Sequence, residues 1–454
     1  MKWKELKKGL TRQITKEEML ALFCDFPQIW FGRIAFLLLV LLCIIPVLLI
    51  PIDLIDGRID KLTGIDKLLF GLVGNLCIAV SLLALGSKFI RIRITGKDSF
   101  SCLKRSPYLI YLFILVAWSL AASCMAIDKY TAFFGSEYRA DGFFTFCRSI
   151  GIFGCAYLLK DSNKPRNLIR IFVITAVLTS MVSVFQNLGS TVWSDVFTTP
   201  YASVFFNINH FAYYLTMSVL AANGLFLIEK KITWRLFAIA AAAFELWTLI
   251  KADTFGSYIA VLIGSVFAVI LFSRNSGKIK IVFFVPLLLF LILTLANINY
   301  FISDFSFLFN DVSLISQNHV DANSAGSGRW ILWKLSLGYI VKKPIFGYGP
   351  EGLYLQYLSS GLNFDRPHNE LLQYAAFTGI PGLLLYLGFL ISLFRSRWKK
   401  IKSCSPETLA AALCVVGYFA SSMFGNTMFY TVPFYFMFLG LVAAGRPDSR
   451  LELS

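Results

Sequence analysis

The sequence predicts an all-α polytopic membrane protein, and three observations carry that expectation. Of its 454 residues, 57% are hydrophobic and only 15% charged, with a mean hydropathy of +0.69. A soluble domain carries nearer a quarter of charged residues. Second, twelve stretches approach the 20 or so mostly apolar residues that one helical crossing of a bilayer needs. They are 33–52, 66–87, 107–126, 143–159, 168–188, 204–228, 233–250, 255–272, 279–297, 371–394, 408–424 and 428–445, with turn signals such as Ile55-Asp56-Gly57-Arg58 between them. Third, if these stretches alternate in direction, 30 of the 42 Lys and Arg fall on one side. Basic residues stay cytoplasmic during insertion, so that side is the cytoplasm, and it holds both termini. The net charge of +16 therefore reports topology, and nucleic acid is not an expected partner.

The elements follow in order. Residues 1–32 form a basic cytoplasmic segment with Lys2, Lys4, Lys7, Lys8, Arg12 and Lys16. It resembles the start of a signal peptide. The run 33–52 is too long for a signal core and lacks a small-residue cleavage site, so it reads as a retained first helix. Residues 33–297 hold nine crossings and 371–445 three more, followed by a cytoplasmic tail at 446–454.

Residues 298–370 form one extracytoplasmic loop, far longer than loops usually are, and such loops are functional or disordered. Its aromatics, among them Trp330, Trp333, Tyr339, Tyr348 and Tyr357, speak against disorder. Within it, 327–342 has the period of an amphipathic helix, with Trp330, Trp333, Leu337 and Ile340 on one stripe. Such a helix is expected to lie along the bilayer surface. The Ser-, Asn- and Asp-rich stretch 303–328 reads as exposed loop.

Several chemistries are not indicated. No Gly-rich phosphate loop precedes a Lys-Ser or Lys-Thr pair, so a substrate must arrive already activated. The nine cysteines have no metal or CxxC spacing. No cofactor and no metal site is expected.

Few residues remain that could carry chemistry. His368, in Arg366-Pro367-His368-Asn369-Glu370, directly precedes an apolar helix. The positive end of that helix favours neutral imidazole, which can accept a proton from an alcohol. A histidine that merely caps the helix is the plainer alternative. Arg329, in Gly328-Arg329-Trp330, and Arg139, between Gly135 and Gly142, carry guanidinium forks that match phosphate. Either could instead pair with a nearby acid, Arg139 with Asp141 or Glu137. Asn207, Asn209 and His210 form a polar cluster where the helix 204–228 opens, a place where capping alone would explain asparagine. Arg148, Glu245, Lys251 and Asp253 lie at or near membrane depth, where charges face a cavity or one another. A structural pair of Glu245 with Arg148 or Lys251 is one expectation.

In this order, the fragments resemble the O-antigen ligase and polymerase family of bacterial envelope glycan enzymes. They are Gly135…Arg139…Gly142, Asn207-Ile208-Asn209-His210, Gly328-Arg329…Trp333, Pro344-Ile345-Phe346-Gly347-Tyr348-Gly349, and His368-Asn369-Glu370-Leu371-Leu372…Gly379-Ile380-Pro381-Gly382. The densest part is 326–383. The resemblance implies a metal-independent, inverting transferase that moves a glycan from undecaprenyl pyrophosphate to an acceptor hydroxyl on a glycan, lipid or wall polymer. That chemistry would take place on the outer face of the cytoplasmic membrane. It implies that His368 activates the hydroxyl and that Arg329 and Arg139 hold the pyrophosphate. Asn369, Arg366, Asn207, Asn209 and His210 would support them. One departure stands out: Phe255 occupies a place where the family often has arginine. Lys251 is the nearest substitute, although an ammonium is no equivalent of a bidentate fork. The competing expectation is a transporter or flippase of lipid-linked saccharides, against which the lack of paired repeats speaks.

Overall fold

Apolar segments in a bilayer must satisfy their backbone hydrogen bonds internally, and helices do so here throughout. The computed structural model describes residues 15, 18, 26–55, 64–95, 106–137, 139–161, 164–189, 201–205, 207–317, 319–426 and 428–445. The chain is an all-α polytopic membrane protein. Its helices are α1 (Phe26–Ile55), α2 (Ile65–Thr95), α3 (Pro107–Cys124), α4 (Lys129–Phe134), α5 (Phe143–Tyr157), α6 (Lys164–Gly189), α7 (Ile208–Ile228) and α8 (Ile232–Lys251). They continue with α9 (Phe255–Ser276), α10 (Val285–Ala296), α11 (Ile298–Ser316), α12 (Arg329–Lys342), α13 (Tyr354–Ser359), α14 (Glu370–Lys399), α15 (Pro406–Ser422) and α16 (Val432–Ala444). Most of residues 1–25, within the segment 1–32 read as basic and cytoplasmic, lies outside the described residues, while the run 33–52, expected as a first helix, lies within α1.

Among the described residues, eight helices (α1, α2, α3, α6, α7, α8, α9 and α14) are long and apolar enough to cross a membrane. The other four apolar stretches are helical but shorter, α16 having only 13 residues. The reason is visible at the end of the chain. Residues 423–431, apolar by composition, leave the helices to make polar contacts described below.

The centre of the bundle is α7 and α16, whose side chains are nearly all buried. Close packing there relies on small residues, as expected where lipid gives helices no hydrophobic reason to associate. A methyl at Gly224 would run into Ala410 of α15, and one at Gly440 into the Phe153 backbone of α5.

Two expectations for the long loop need correction. Residues 303–316 belong to helix α11, not to an irregular loop. Their Ser, Asn and Asp residues sit between apolar residues at helical spacing: Ile298, Ile302, Phe305, Phe309 and Val312. Helix α12 forms as the period suggests, but its packed face is Leu332, Ser336, Tyr339 and Ile340, while Leu337 is exposed. It rests on a small core of Tyr348, Leu353, Tyr357 and Ala376.

The Gly-rich and Pro-containing fragments prove to be one joint. Gly379 takes a left-handed φ of 76° inside α14, and Pro381 follows without an N–H to donate. The carbonyls this frees at Ala376 and Phe377 accept from the backbone N–H groups of Tyr348 (2.8 Å) and Gly349 (2.9 Å). In return, the Ile380 N–H donates to the Pro344 carbonyl at 2.8 Å, and Trp118 Nε1 to the Thr378 carbonyl at 2.8 Å. A side chain at Gly347 or Gly379 would strike the opposing backbone. The kink thereby ties residues 344–349 of the long loop to the first half of α14.

Candidate active site

Four connecting segments converge at the start of α14, and an ionic cluster binds three of them. Arg139 forks onto both Asp365 oxygens, Nε at 2.7 Å and Nη2 at 3.1 Å. Arg366, wholly buried, donates to Asp365 at 3.0 Å and to Asp141 at 3.1 Å, with Glu351 3.8 Å from its Nη2. Glu351 accepts the backbone N–H groups of Ser136 (2.9 Å) and Asp141 (2.5 Å), which fixes the 135–142 loop. Burial alone would push the Asp365 carboxyl up. Arg366 and Arg139 outweigh burial and hold it well below the usual carboxylate range. Burial likewise opposes charge on Arg366, and Asp365, Asp141 and Glu351 reverse that. Arg139 therefore pairs with Asp365, and Arg366 takes Asp141.

Each of these segments also holds a non-glycine residue in the left-handed region: Ala140 (φ 49°), Ser327 (φ 56°), Glu351 (φ 56°) and His368 (φ 53°). Such backbones cost on the order of 1–3 kcal/mol each and persist where surrounding contacts impose them. His368 is half-buried, with the Phe364 ring edge-on to it at 6.1 Å. Burial and the Arg329 charge lower its pKa to about 4, with Arg139 and Arg366 adding to the effect and Asp365 opposing it. The imidazole is neutral at pH 7. Asn369 is the N-cap of α14, accepting the Leu372 N–H, so His368 lies just outside the first turn and not within it.

Arg329 opens α12. Its Nε donates to the Phe424 carbonyl at 3.2 Å and its Nη1 to the Gly326 carbonyl at 3.0 Å, while Nη2 has no partner among the described residues. The Phe424 carbonyl belongs to residues 423–431, the connector between α15 and α16. The Met423 carbonyl accepts Asn369 Nδ2 at 2.9 Å, and Met428 Sδ meets Arg139 Nη1 at 3.5 Å. His210 Nδ1 and the Tyr430 hydroxyl are 2.5 Å apart, and Asn426 bonds the same imidazole. The connector thus touches Arg139, His210, Arg329 and Asn369. Sequence reasoning missed it because the stretch is mostly apolar and carries no motif. The available signal was the few polar residues in that apolar run, Asn426 foremost.

Residues 237–387, which include Arg329, Arg366, His368 and Asn369, match the family model described as O-antigen ligase. In this segment the chain is similar to the O-antigen ligase family. No curated protein matches the chain. Arg139, His210 and the connector lie outside the matched residues and reach the matched segment through the bonds given above.

The remaining candidates separate into those brought to this centre and those that are not. Asn207 caps α7 by accepting the Asn209 N–H at 2.9 Å, so capping accounts for it. Lys251 turns to Tyr300, its Nζ 3.3 Å from the hydroxyl, and contacts none of the cluster. Phe255, at the place of the family arginine, packs edge-on against Phe305 at 5.4 Å. The expected pairing of Glu245 with Arg148 or Lys251 does not form. Glu245 accepts from Ser218 at 2.9 Å, and Arg148 donates to Asn75 at 2.9 Å, each served by a neighbouring helix. A cavity meets the cluster at Asp141. Phe143, Phe146, Tyr374, Phe377, Val432 and Phe436 give it an apolar lining between α5, α14 and α16.

Proposed function

We propose that this O-antigen ligase-type enzyme transfers a glycan from undecaprenyl pyrophosphate to an acceptor hydroxyl at the outer face of the cytoplasmic membrane. The observation that carries this reading is a neutral histidine, His368, set among three guanidinium groups. In the proposed step the acceptor oxygen attacks the anomeric carbon and gives its proton to the imidazole. The bond from that carbon to the phosphate oxygen breaks, and the electron pair leaves with the lipid diphosphate. Attack from the side opposite the leaving group inverts the anomeric centre. Charge develops on the departing diphosphate, and fixed cations placed there lower the barrier without a metal ion. Arg329 offers Nη2 for this. Arg139 has its Nη1 against Met428 sulfur, a weak acceptor that a phosphate oxygen would readily replace. Asp365 meanwhile keeps the rest of that fork aligned.

The test is transfer in vesicles containing the purified protein, a lipid-linked glycan and a candidate acceptor. Loss of the lipid diphosphate linkage together with a glycosylated acceptor is the expected result. Passage of intact lipid-linked glycan across the bilayer would favour a transporter instead.

A further inference from the structure

Helix α11 leaves α10 at a bend of 87° after a single residue, Asn297. The preceding segment lies along α9. Phe283 packs on Phe272 near the α9 C-terminus at 5.8 Å, and Phe290 on Tyr258 near its N-terminus at 4.4 Å. Helix α9 is long and apolar enough to cross a membrane, and the segment ending at Ala296 reaches the end of the bundle where α9 begins. If α9 crosses the bilayer, a right-angle turn there lays α11 along the membrane boundary.

Helix α11 is seated from below by three contacts. Phe301 stacks on Tyr258 at 4.2 Å, Phe305 lies on Phe255 at 5.4 Å, and Lys251 holds Tyr300. Ile302, Phe305, Phe309 and Val312 recur at helical spacing and stay exposed, Phe309 at 71%. No charged residue joins this stripe, since Asp304 and Asp311 fall outside it. It continues the lipid-facing belt of α10, whose Leu288, Ile292 and Leu295 are exposed in the same way. At its far end, Asp311 accepts the Gly326 N–H at 2.8 Å, and the Gly326 carbonyl holds Arg329.

We infer that α11 is an interfacial helix whose apolar stripe is buried in the lipid leaflet at which α9 begins, and that it carries the turn presenting Arg329 at that depth. The partner is the bilayer itself. A helix with one wide apolar face and a polar back binds at the boundary of headgroups and acyl chains. This gives Phe255 and Lys251 a different task from pyrophosphate binding: they are the seat of α11. The connection to Arg329 matters for catalysis only on the transferase reading; the membrane contact does not depend on it.

The experiment places a photoreactive benzophenone amino acid at Phe309 and, in a separate protein, at Asn310. Each is reconstituted in phosphatidylethanolamine and phosphatidylglycerol vesicles and irradiated. Position 309 is expected to yield a phospholipid adduct by intact mass, at least tenfold more than position 310. An adduct to a second copy of the chain, equal labelling from both positions, or no lipid adduct from 309 would overturn the inference. Asp311→Ala should keep the lipid-contact pattern and lose glycan transfer several-fold. Retained lipid labelling with no transfer even by the unaltered protein would count against the transferase reading alone.

Discussion

At the residue scale, His368 and Arg366 show how neighbouring charge decides what burial does. Burial disfavours the proton on both; the cations around His368 add to that, and the three carboxylates around Arg366 reverse it. A histidine whose folded pKa is depressed disfavours the proton that the unfolded chain accepts. Its contribution to stability is therefore complete above about pH 6.5 and is lost as pH falls toward about 4. The transfer rate should follow the neutral imidazole, holding through pH 6 and falling with a midpoint near 4. In Arg329→Gln the midpoint should move upward, read from the pH dependence of the rate at saturating donor. An unmoved midpoint would mean that Arg329 does not act on His368. Arg366→Met would strand Asp365, Asp141 and Glu351 without their shared cation. Breaking a buried ion pair costs about 3–5 kcal/mol, so thermal unfolding in detergent should show a large loss. His368 stood out in the sequence because the chain has only three histidines, and Arg329 and Arg139 through the Gly-containing fragments around them. Their partners were not, since Arg139 and Asp365 lie 226 residues apart with no spacing rule to join them.

At the element scale, the fragments that looked most like a catalytic signature divide in two. Gly347, Gly349, Gly379 and Pro381 serve the joint between the loop and α14, where a broken helix obtains its missing hydrogen bonds from another segment. Their pattern was readable, but its meaning depended on a contact across the fold. Gly379→Ala should abolish that docking, because its new methyl meets the Ile345 carbonyl. A lowered melting temperature together with lost transfer is the expected outcome. Asn369→Ala removes the α14 cap, worth about 1 kcal/mol, and also releases the Met423 carbonyl. Activity should fall more than that modest stability change explains, measured as transfer against melting temperature in one preparation. Helix α11 was misread as loop because its polar residues were counted without regard to period.

At the scale of the whole molecule, composition together with unbroken apolar runs of about 20 residues was enough for a helical membrane protein, because runs of that length satisfy their backbone in a bilayer as helices. The number of crossings was less legible. Hydropathy cannot distinguish a span from a short apolar helix that packs wholly within the bundle, as α16 does. Nor could it show that residues 423–431 leave the helices to touch His210, Arg329, Asn369 and Arg139. The expectation from the positive-inside asymmetry is that both ends of the chain lie in the cytoplasm, and it predicts that reporter fusions to either end are active only there. The central claim is narrower: a proton acceptor and fixed cations meet where a sugar leaves its lipid carrier. It is tested most directly by comparing unaltered protein with His368→Ala in reconstituted vesicles, recording glycan moved to acceptor and binding of undecaprenyl pyrophosphate together. General base catalysis contributes about 10²–10⁴-fold, so transfer should fall by that order while lipid diphosphate binding is retained. Full turnover by His368→Ala would contradict the account.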